Sequence, residues 1–477
     1  MARVFLINPS MDTAAGFGEY RALSEAMPPT GLAYVAGAAR RAGHTVGMID
    51  NFVENRPDDK LAATVQAFAP DVVGIPVLTP VAQGIERFCA RLRETNPNVK
   101  IVMGNHHASV FAEELVDRGV CDVVVHGEGE ERFPQVVDAL VGDSGLESVP
   151  GVTWRPNGHV ETTGRPPQIR ELDTLARPAW DMLPWAHYTF LPFVTVARPC
   201  LAVVGSRGCP YRCSYCVEGG AANGLRVRSP EAIADEMEWL VRDMGVRHAG
   251  FVDPIFPFNK KHGLAVCNAI AAREIPGDWW WTSETRIDVI DDEMAHAMKA
   301  SRCKRVLFGI ESGVDALLKN VDKKCTAAKV REGVTAAKKA GLEITAFFML
   351  GLPGETAEMT RETIDFALSL DLDIAKFGIT VPYPGTELYE TLLAEGRIKK
   401  GEWEQWSTFN PNGDNLPFVP DGMTGPELDR LHKRANWLFF MRPRIIWRHL
   451  FVVRSIKLSH MVAGFRLFFR QFVMGQI

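Results

Sequence analysis

Between residues 201 and 381 a strand-length apolar run followed by a helix-length segment recurs six times. The strand candidates are Leu201–Ser206, His248–Asp253, Trp279–Arg286, Arg305–Glu311, Glu343–Gly351 and Ile374–Val381. Pro230–Met244, Asp291–Ser301, Ala327–Ala340 and Ala357–Leu370 read as helices among them. Alternation of this kind predicts a parallel sheet with right-handed crossovers, and in barrels so built chemistry collects at the strands' carboxyl ends. The loop after the first strand reads Gly208-Cys209-Pro210-Tyr211-Arg212-Cys213-Ser214-Tyr215-Cys216. Three cysteines at this spacing can converge as thiolates on one iron–sulfur cluster. One iron of a four-iron cube then lacks a protein ligand, and an open coordination site usually means chemistry. A three-cysteine zinc knuckle or coincidence is the alternative. No fourth Cys or His at zinc-finger spacing follows Cys216, which counts against zinc.

Residues 3–142 carry a second beat. Its strand candidates are Arg3–Asn8, His44–Asp50, Asp71–Val77, Lys100–Gly104 and Asp122–Gly127, with helix-length spacers between them. The pattern predicts a doubly wound, flavodoxin- or Rossmann-like parallel sheet, whose ligands bind beyond the strands' carboxyl ends. The turns there are small or polar: Asn8-Pro9-Ser10, Thr79-Pro80, Gly104-Asn105-His106-His107 and Gly127-Glu128-Gly129-Glu130. Turn chemistry alone accounts for any one of them. Residues 143–200 read as a connector rich in Pro, Gly and Arg, with Val149–Trp154 and His159–Thr162 as a small hairpin. Beyond residue 390 the beat stops. The expected organisation is therefore 1–142, a linker over 143–200, 201–390, and a mainly helical region over 391–477.

A length of 477 residues calls for two or three domains. From Arg430 onward there are ten Lys or Arg and no Asp or Glu, so with a chain total of −5 the remainder carries −15. Such acidity argues against a general nucleic-acid binder. The tail mixes its arginines with Trp437, Leu438, Phe439, Phe440, Phe465, Leu467, Phe468 and Phe469, a composition suited to a membrane interface. It suits equally a helical cap whose arginines face solvent or answer the acidic remainder. Nine cysteines, an odd number without a disulfide rhythm, fit a reducing cytoplasm. The N-terminus runs directly into a strand pattern, so no signal peptide is expected. No uninterrupted apolar run approaches the roughly 18 residues of a spanning helix.

The cysteine loop resembles that of the radical S-adenosylmethionine (SAM) enzymes, which place an aromatic before the third cysteine as Tyr215 stands before Cys216. The resemblance implies a 4Fe–4S cluster on Cys209, Cys213 and Cys216, with SAM's amino and carboxylate groups on the open iron. Reduction then cleaves SAM to methionine and a 5′-deoxyadenosyl radical. It also implies a partial (β/α)6 barrel, with the loop just after its first strand. Glu284 and Arg286 close the third strand, Gly309-Ile310-Glu311-Ser312-Gly313 the fourth, Gly351-Leu352-Pro353-Gly354-Glu355 the fifth and Pro382-Tyr383-Pro384-Gly385-Thr386 the sixth. By resemblance Glu311 and Ser312 contact SAM's amino group or ribose, and Arg286 its carboxylate or ribose. The Gly351–Gly354 turn shapes the adenine pocket. Taken singly, such residues also occur as solvated loop positions. Asp253 is either an active-site carboxylate or a helix N-cap. The other six cysteines show no second cluster spacing and read as small core residues.

The first 142 residues resemble the cobalamin-binding domain that precedes many radical SAM domains. Pro28-Pro29-Thr30-Gly31-Leu32, the Gly104…Ala108 turn and Asp122…Gly127-Glu128-Gly129-Glu130 carry the likeness. Cobalamin contacts then fall on Asn8, Thr79, Gly104, His106, Gly127 and Glu128. Asn105 replaces a usual glycine, and the Asp-x-His-x-x-Gly signature that supplies a histidine to cobalt is absent. His106 and His107 are candidates, with a hydrogen-bonded turn histidine as the alternative, and no lower ligand is assigned. The combination implies a cobalamin-dependent methyltransferase acting on an unactivated carbon. Oxidative cyclisation or ring rearrangement on the same architecture is the alternative, and a sensor or electron carrier is a third class that the SAM-site residues oppose. No catalytic side chain is assigned. A small-molecule substrate, apolar if the tail meets a membrane, is expected. So is an external electron donor such as flavodoxin or ferredoxin, with a cytoplasmic location, peripheral at the inner face of the membrane if the tail docks there.

Overall fold

The computed structural model describes residues 1–10, 25–142, 144–218, 224–401, 403, 406, 415–453, 462–466 and 469–470. The chain divides into two compact units. One comprises Met1–Asp12, Pro29–Trp185 and Gly401–Glu404, the other Thr13–Pro28, Ala186–Lys400 and Gln405–Ile477.

In the first unit, β1 (Arg3–Asn8), β2 (Thr45–Asp50), β3 (Val72–Pro76), β4 (Lys100–Gly104) and β5 (Val123–Val125) are parallel, in the order β2-β1-β3-β4-β5. This is the flavodoxin-like arrangement, with its switch point between β1 and β3. The inner strands, covered on both faces, read as continuous apolar runs, which is why they were legible. Helices Thr30–Arg41 and Gly129–Val141 bury Leu32, Ala36, Phe133 and Val137 with Val4, Leu6, Val72 and Val102. The hairpin expected in the connector forms as β6 (Val152–Trp154) and β7 (Glu161–Thr162), and it extends this sheet antiparallel from β5. Val152 and Trp154 are buried, so the hairpin covers an edge that would otherwise be open. Most of 143–200 therefore belongs to the first unit.

The second unit holds β8 (Cys200–Val203), β11 (His248–Phe251), β12 (Trp280–Thr285), β13 (Cys303–Glu311), β14 (Glu343–Leu350) and β15 (Ile374–Ile379). They form a six-stranded parallel sheet in sequential order, as the beat predicts, in the partial barrel that the resemblance implies. The main crossover helix after each strand starts on a side chain that accepts a hydrogen bond from its third amide. These caps are Ser229, Asn259, Asp291, Thr326, Thr356 and Thr386. Ala346, Phe348, Ala375 and Phe377 lie buried on one sheet face. Helix Gly425–Phe440 completes that face at β15, with His432 Nε2 at 3.0 Å from the Phe377 carbonyl and Leu428 beneath Gly351. A two-residue ribbon, β9 (Ser206–Arg207) with β10 (Arg226–Val227), brackets the cysteine loop. It is too short to have left a periodic signal.

The barrel's amino end is filled by the segment Tyr188–Val196. Phe190 lies 5.0 Å from the His248 ring and against Gly250, where a Cβ would come within 2.6 Å of it. The Phe193 carbonyl accepts from Thr345 Oγ1 at 2.8 Å and Arg305 at 3.1 Å. Arg305 is fully buried and holds Glu343 at 2.6 Å and the Thr195 carbonyl at 3.2 Å. That end of the barrel is thus a closed floor.

Candidate active site

The cysteine loop leaves β8 through Gly205, which sits against Phe251, Phe256 and Asp253 with no space for a side chain. Asp253 is buried and accepts from the Gly205 N–H at 2.8 Å and the Ser206 hydroxyl at 2.7 Å. It is neither an N-cap, since Asn259 caps the next helix, nor an open acid. Burial pushes its carboxyl up to about 7, against the pull of those hydrogen bonds. A carboxyl so raised stabilises the fold in full below about pH 4, and that contribution is lost as pH rises through about 7. Asp253→Asn stays neutral throughout. Its stability relative to the parent should therefore climb by about 1.4 kcal/mol per unit inside that window. Thermal midpoints of both proteins between pH 5 and 8 check this; a constant offset would contradict it.

Beyond Gly208, at φ +81°, the loop is pinned by its backbone. The Ser214 N–H donates to the Val321 carbonyl at 3.2 Å, and the Ser214 carbonyl accepts from the Leu388 N–H at 2.9 Å. Cys216 N–H closes on the Cys213 carbonyl at 3.0 Å. Cys213 is buried while Cys209 and Cys216 are half-buried. Among the described residues no three His, Cys, Asp or Glu side chains gather tightly enough to hold a single ion, the geometry a zinc knuckle needs. Three thiols carried on one braced loop are a donor set of the kind a four-iron cube takes. The other six cysteines lie elsewhere, five of them buried; burial pushes the Cys89 thiol up to about 12 and Cys200 and Cys267 to about 11.

Tyr215 links the loop to the barrel. Its hydroxyl donates to Glu311 Oε1 at 3.0 Å, and Lys323 Nζ reaches the same oxygen at 2.7 Å. Its ring packs on the cluster of Leu317, Val321 and Leu352, so the Gly351–Gly354 turn and the cysteine loop share one apolar support. Glu311 holds a left-handed backbone, φ +68°, where the pairing of β13 with β14 shifts register. Strain of this kind in a non-glycine residue persists where the surroundings over-determine it. Gly309 is part of those surroundings: a Cβ there would come within 2.7 Å of the Glu311 carboxylate and 3.0 Å of Lys323 Nζ. Lys323 went unread because Asp322-Lys323-Lys324 has the composition of a solvated loop.

Two expected contacts look different in the structure. Ser312 is fully buried, its hydroxyl 2.9 Å from Thr363 Oγ1 and accepting from the Val314 N–H. Arg286 stacks 3.8 Å over the Tyr211 ring and uses four of its five N–H groups on Asp288 and the carbonyls of Lys323 and Lys324. It braces the loop rather than presenting an open cation. Gly351 and Gly354 both take positive φ, and the turn between them is closed by Glu355, which accepts from the Leu352 N–H and Thr360.

In the first unit, Asn8, Thr79, Gly104, His106, Gly127 and Glu128 all lie at or just beyond the carboxyl ends of β1, β3, β4 and β5. Asn8 donates to Asp50 at 2.7 Å. Gly127 takes φ +69°, and a Cβ there would press on Pro166 at 3.1 Å. Glu128 accepts from the Ile169 N–H at 2.9 Å, so its carboxylate ties down the following segment. His107 is buried, 3.2 Å from Thr79 Oγ1 and packed on Phe111 and Trp403. Burial lowers its imidazole to about 4, with a lesser contribution from His106. Its ring is thus neutral and held in the turn by Thr79. His106 is half-buried. The polar and glycine turns at the strand ends fit a large planar group, and the donor set names no protein ligand for its metal. Trp403 and Trp406 both pack; the Trp406 carbonyl lies 3.3 Å from the Tyr383 hydroxyl.

A half-barrel with three cysteines after its first strand, in one chain with a flavodoxin-like unit, defines the class of radical SAM enzymes that carry a B12 domain. The family model for the radical SAM superfamily matches residues 203–367 and that for the B12-binding domain residues 22–137. An uncharacterized methyltransferase of Pyrococcus horikoshii is 31% identical over 465 residues, covering 97% of each chain. The anaerobic magnesium-protoporphyrin IX monomethyl ester cyclase of Cereibacter sphaeroides is 30% identical over 76% of this chain and 60% of its own. In fold, the chain is similar to the radical SAM methyltransferase TsrM of Kitasatospora setae, solved with cobalamin and a [4Fe-4S] cluster bound. The TM-score is 0.70 at 16% identity, over 93% of this chain and 89% of that one. The chain belongs to the cobalamin-binding radical SAM family, and its cofactors are a 4Fe–4S cluster, SAM and cobalamin.

Proposed function

We propose that this enzyme methylates an unactivated carbon of a small molecule. The observation that carries the reading is the presence, in one chain, of a B12-binding sheet and a cysteine loop on a half-barrel, along the whole length of a relative designated a methyltransferase. When bound, the cluster would supply the electron for cleaving SAM to a hydrogen-abstracting carbon radical, and cobalamin would supply the methyl group. Cys209, Cys213 and Cys216 are proposed to hold the cluster. Tyr215, Glu311 and Lys323 fix the loop's position over the barrel, with the Glu311 carboxylate and the Gly351–Gly354 backbone turned to SAM. Arg286 acts through Tyr211, and Ser312 through the backbone it locks. Asn8, Thr79, Gly104, His106 and Gly127 are proposed to line the cobalamin face, with Glu128 holding its rim. Two cofactors delivering to one carbon make positioning the protein's main task. Electrons are proposed to come from a flavodoxin- or ferredoxin-like donor. Oxidative cyclisation without methyl transfer is the second reading, supported by the cyclase relative. Turnover with SAM and extracts of the source cell separates them: a product heavier by one CH2 unit supports methylation, and loss of hydrogen alone supports cyclisation.

The tail divides in a way the sequence did not show. Arg444 and Arg448 pair with Asp371 and Asp373, and Arg442 donates to the Leu368 carbonyl, as a cap would have it. Ile446, Trp447, Leu450 and Phe451 remain exposed beside them. Arg454 and Lys457 lie outside the described residues. No helix among the described residues is long and apolar enough to cross a membrane. We propose peripheral contact through this apolar face, with charge secondary. Co-sedimentation with anionic vesicles should fall several-fold in Trp447→Ser/Phe451→Ser and respond weakly to salt. Unchanged binding in the double variant would leave the cap alone.

A further inference from the structure

The upper half of the barrel's inner face is charged where a hydrocarbon-binding chamber would be apolar. Across the sheet, Glu284 on β12 registers with Leu307 on β13, Leu307 with Thr345 on β14, and Thr345 with Ile374 on β15. Lys376 lies two residues further along β15, level with Phe347, so its side chain leaves the sheet on the same face as Glu284. Glu284 is exposed, and Phe347, Met349 and Lys376 are half-exposed, while the alternating residues Ala346, Phe348, Ala375 and Phe377 are buried. The face is therefore open between its floor and the cofactor loop. Phe193 is the floor: Lys376 Nζ stands 5.4 Å from its ring centre and 5.9 Å from that of Phe347. Toward the loop, Glu311 and Lys323 neutralise each other at 2.7 Å.

Resting on the radical SAM reading above, we propose that Glu284 and Lys376 anchor the substrate by an anionic oxygen headgroup, a carboxylate or a phosphate, inside the barrel. Lys376 donates as an ammonium that stands over the Phe193 and Phe347 rings. Glu284 donates from its protonated form. Solvent reaches Glu284 in the chamber, but the surrounding barrel walls partly desolvate its carboxyl and push it up to about 7, with Glu311 as the neighbouring anion. Desolvation by the barrel walls lowers Lys376 to about 8, against the attraction of Glu284 and Glu311. The substrate's inserted end is accordingly polar, and its reacting carbon lies between that headgroup and the cysteine loop.

The test uses uncoupled turnover of the anaerobically reconstituted full chain with three chain-deuterated probes: hexanoate, hexyl phosphate and hexanol. A probe lodged in the chamber loses a deuterium atom to the radical; its C–D bond breaks and a C–D bond forms at C5′ of 5′-deoxyadenosine. The external reductant and water return an electron and a proton to the probe. Deuterated deoxyadenosine is expected from hexanoate or hexyl phosphate, whichever headgroup fits, and not from hexanol. Lys376→Met and Glu284→Leu should each lower the label about tenfold, the size of one charge-assisted hydrogen bond, with unlabelled deoxyadenosine retained. Glu284→Gln, which keeps a donor, should retain the label. Equal labelling by hexanol, no label from either acid, or label indifferent to Lys376→Met would overturn the anchor while leaving the radical reading intact. Absence of any deoxyadenosine from the parent enzyme would instead defeat the radical reading, and this proposal with it.

Discussion

Cys213→Ala is expected to bring 5′-deoxyadenosine release down to the no-enzyme background. The substitution removes one of three proposed cluster ligands from a loop whose backbone is held at Val321 and Leu388 regardless of that side chain. The protein should therefore fold, keep its cobalamin, and lose the cluster's visible absorbance. Cys89→Ala is the matched control. Cys89 is buried in the first unit with its thiol pushed up to about 12, so it stays protonated and should change neither cluster content nor turnover. A Cys213→Ala protein with full absorbance and activity would remove the ligand assignment.

Arg305→Leu should be the most destabilising single change in the second unit. It strands Glu343 in the floor and leaves the Phe193 and Thr195 carbonyls without their shared donor. Removing one partner of a buried pair costs about 3–5 kcal/mol, and Lys304, 3.4 Å from Glu343, offsets only part of that. At roughly 2–4 °C per kcal/mol for a unit of this size, the thermal midpoint should fall by about 10 °C. The double variant Arg305→Leu/Glu343→Leu should recover much of the loss, because no charge is then stranded. Equal losses in single and double variants would mean the pair contributes through packing alone.

The parts legible in the sequence were those with local causes. Strand-length apolar runs marked the strands of both parallel sheets, and helix-length segments between them marked the crossovers. The cysteine spacing and the glycines at strand ends placed the candidate site at the strands' carboxyl ends, where those residues lie in the fold. What escaped notice depends on contacts distant in sequence. Arg286 and Ser312 are positioned as expected, yet Asp288, Tyr211 and Thr363 engage them in the fold. The floor segment Tyr188–Val196 lies in a stretch that reads as a connector, and only Gly250 and Arg305, far along the chain, make it a plug. Lys376 did leave a trace, a lysine inside the apolar strand Ile374–Val381. A cation in such a run needs either an outward position or a purpose, and parity with Phe347 shows that it faces inward.

The central claim is that a cluster on this loop generates a radical from SAM. The direct measurement is anaerobic reconstitution of the full chain with iron, sulfide and cobalamin, addition of SAM and a strong reductant, and quantification of 5′-deoxyadenosine. Release of deoxyadenosine in step with methionine, dependent on all three of Cys209, Cys213 and Cys216, is the expected result. A cluster-replete, cobalamin-replete protein that forms none, or forms it equally well without those cysteines, would contradict the account.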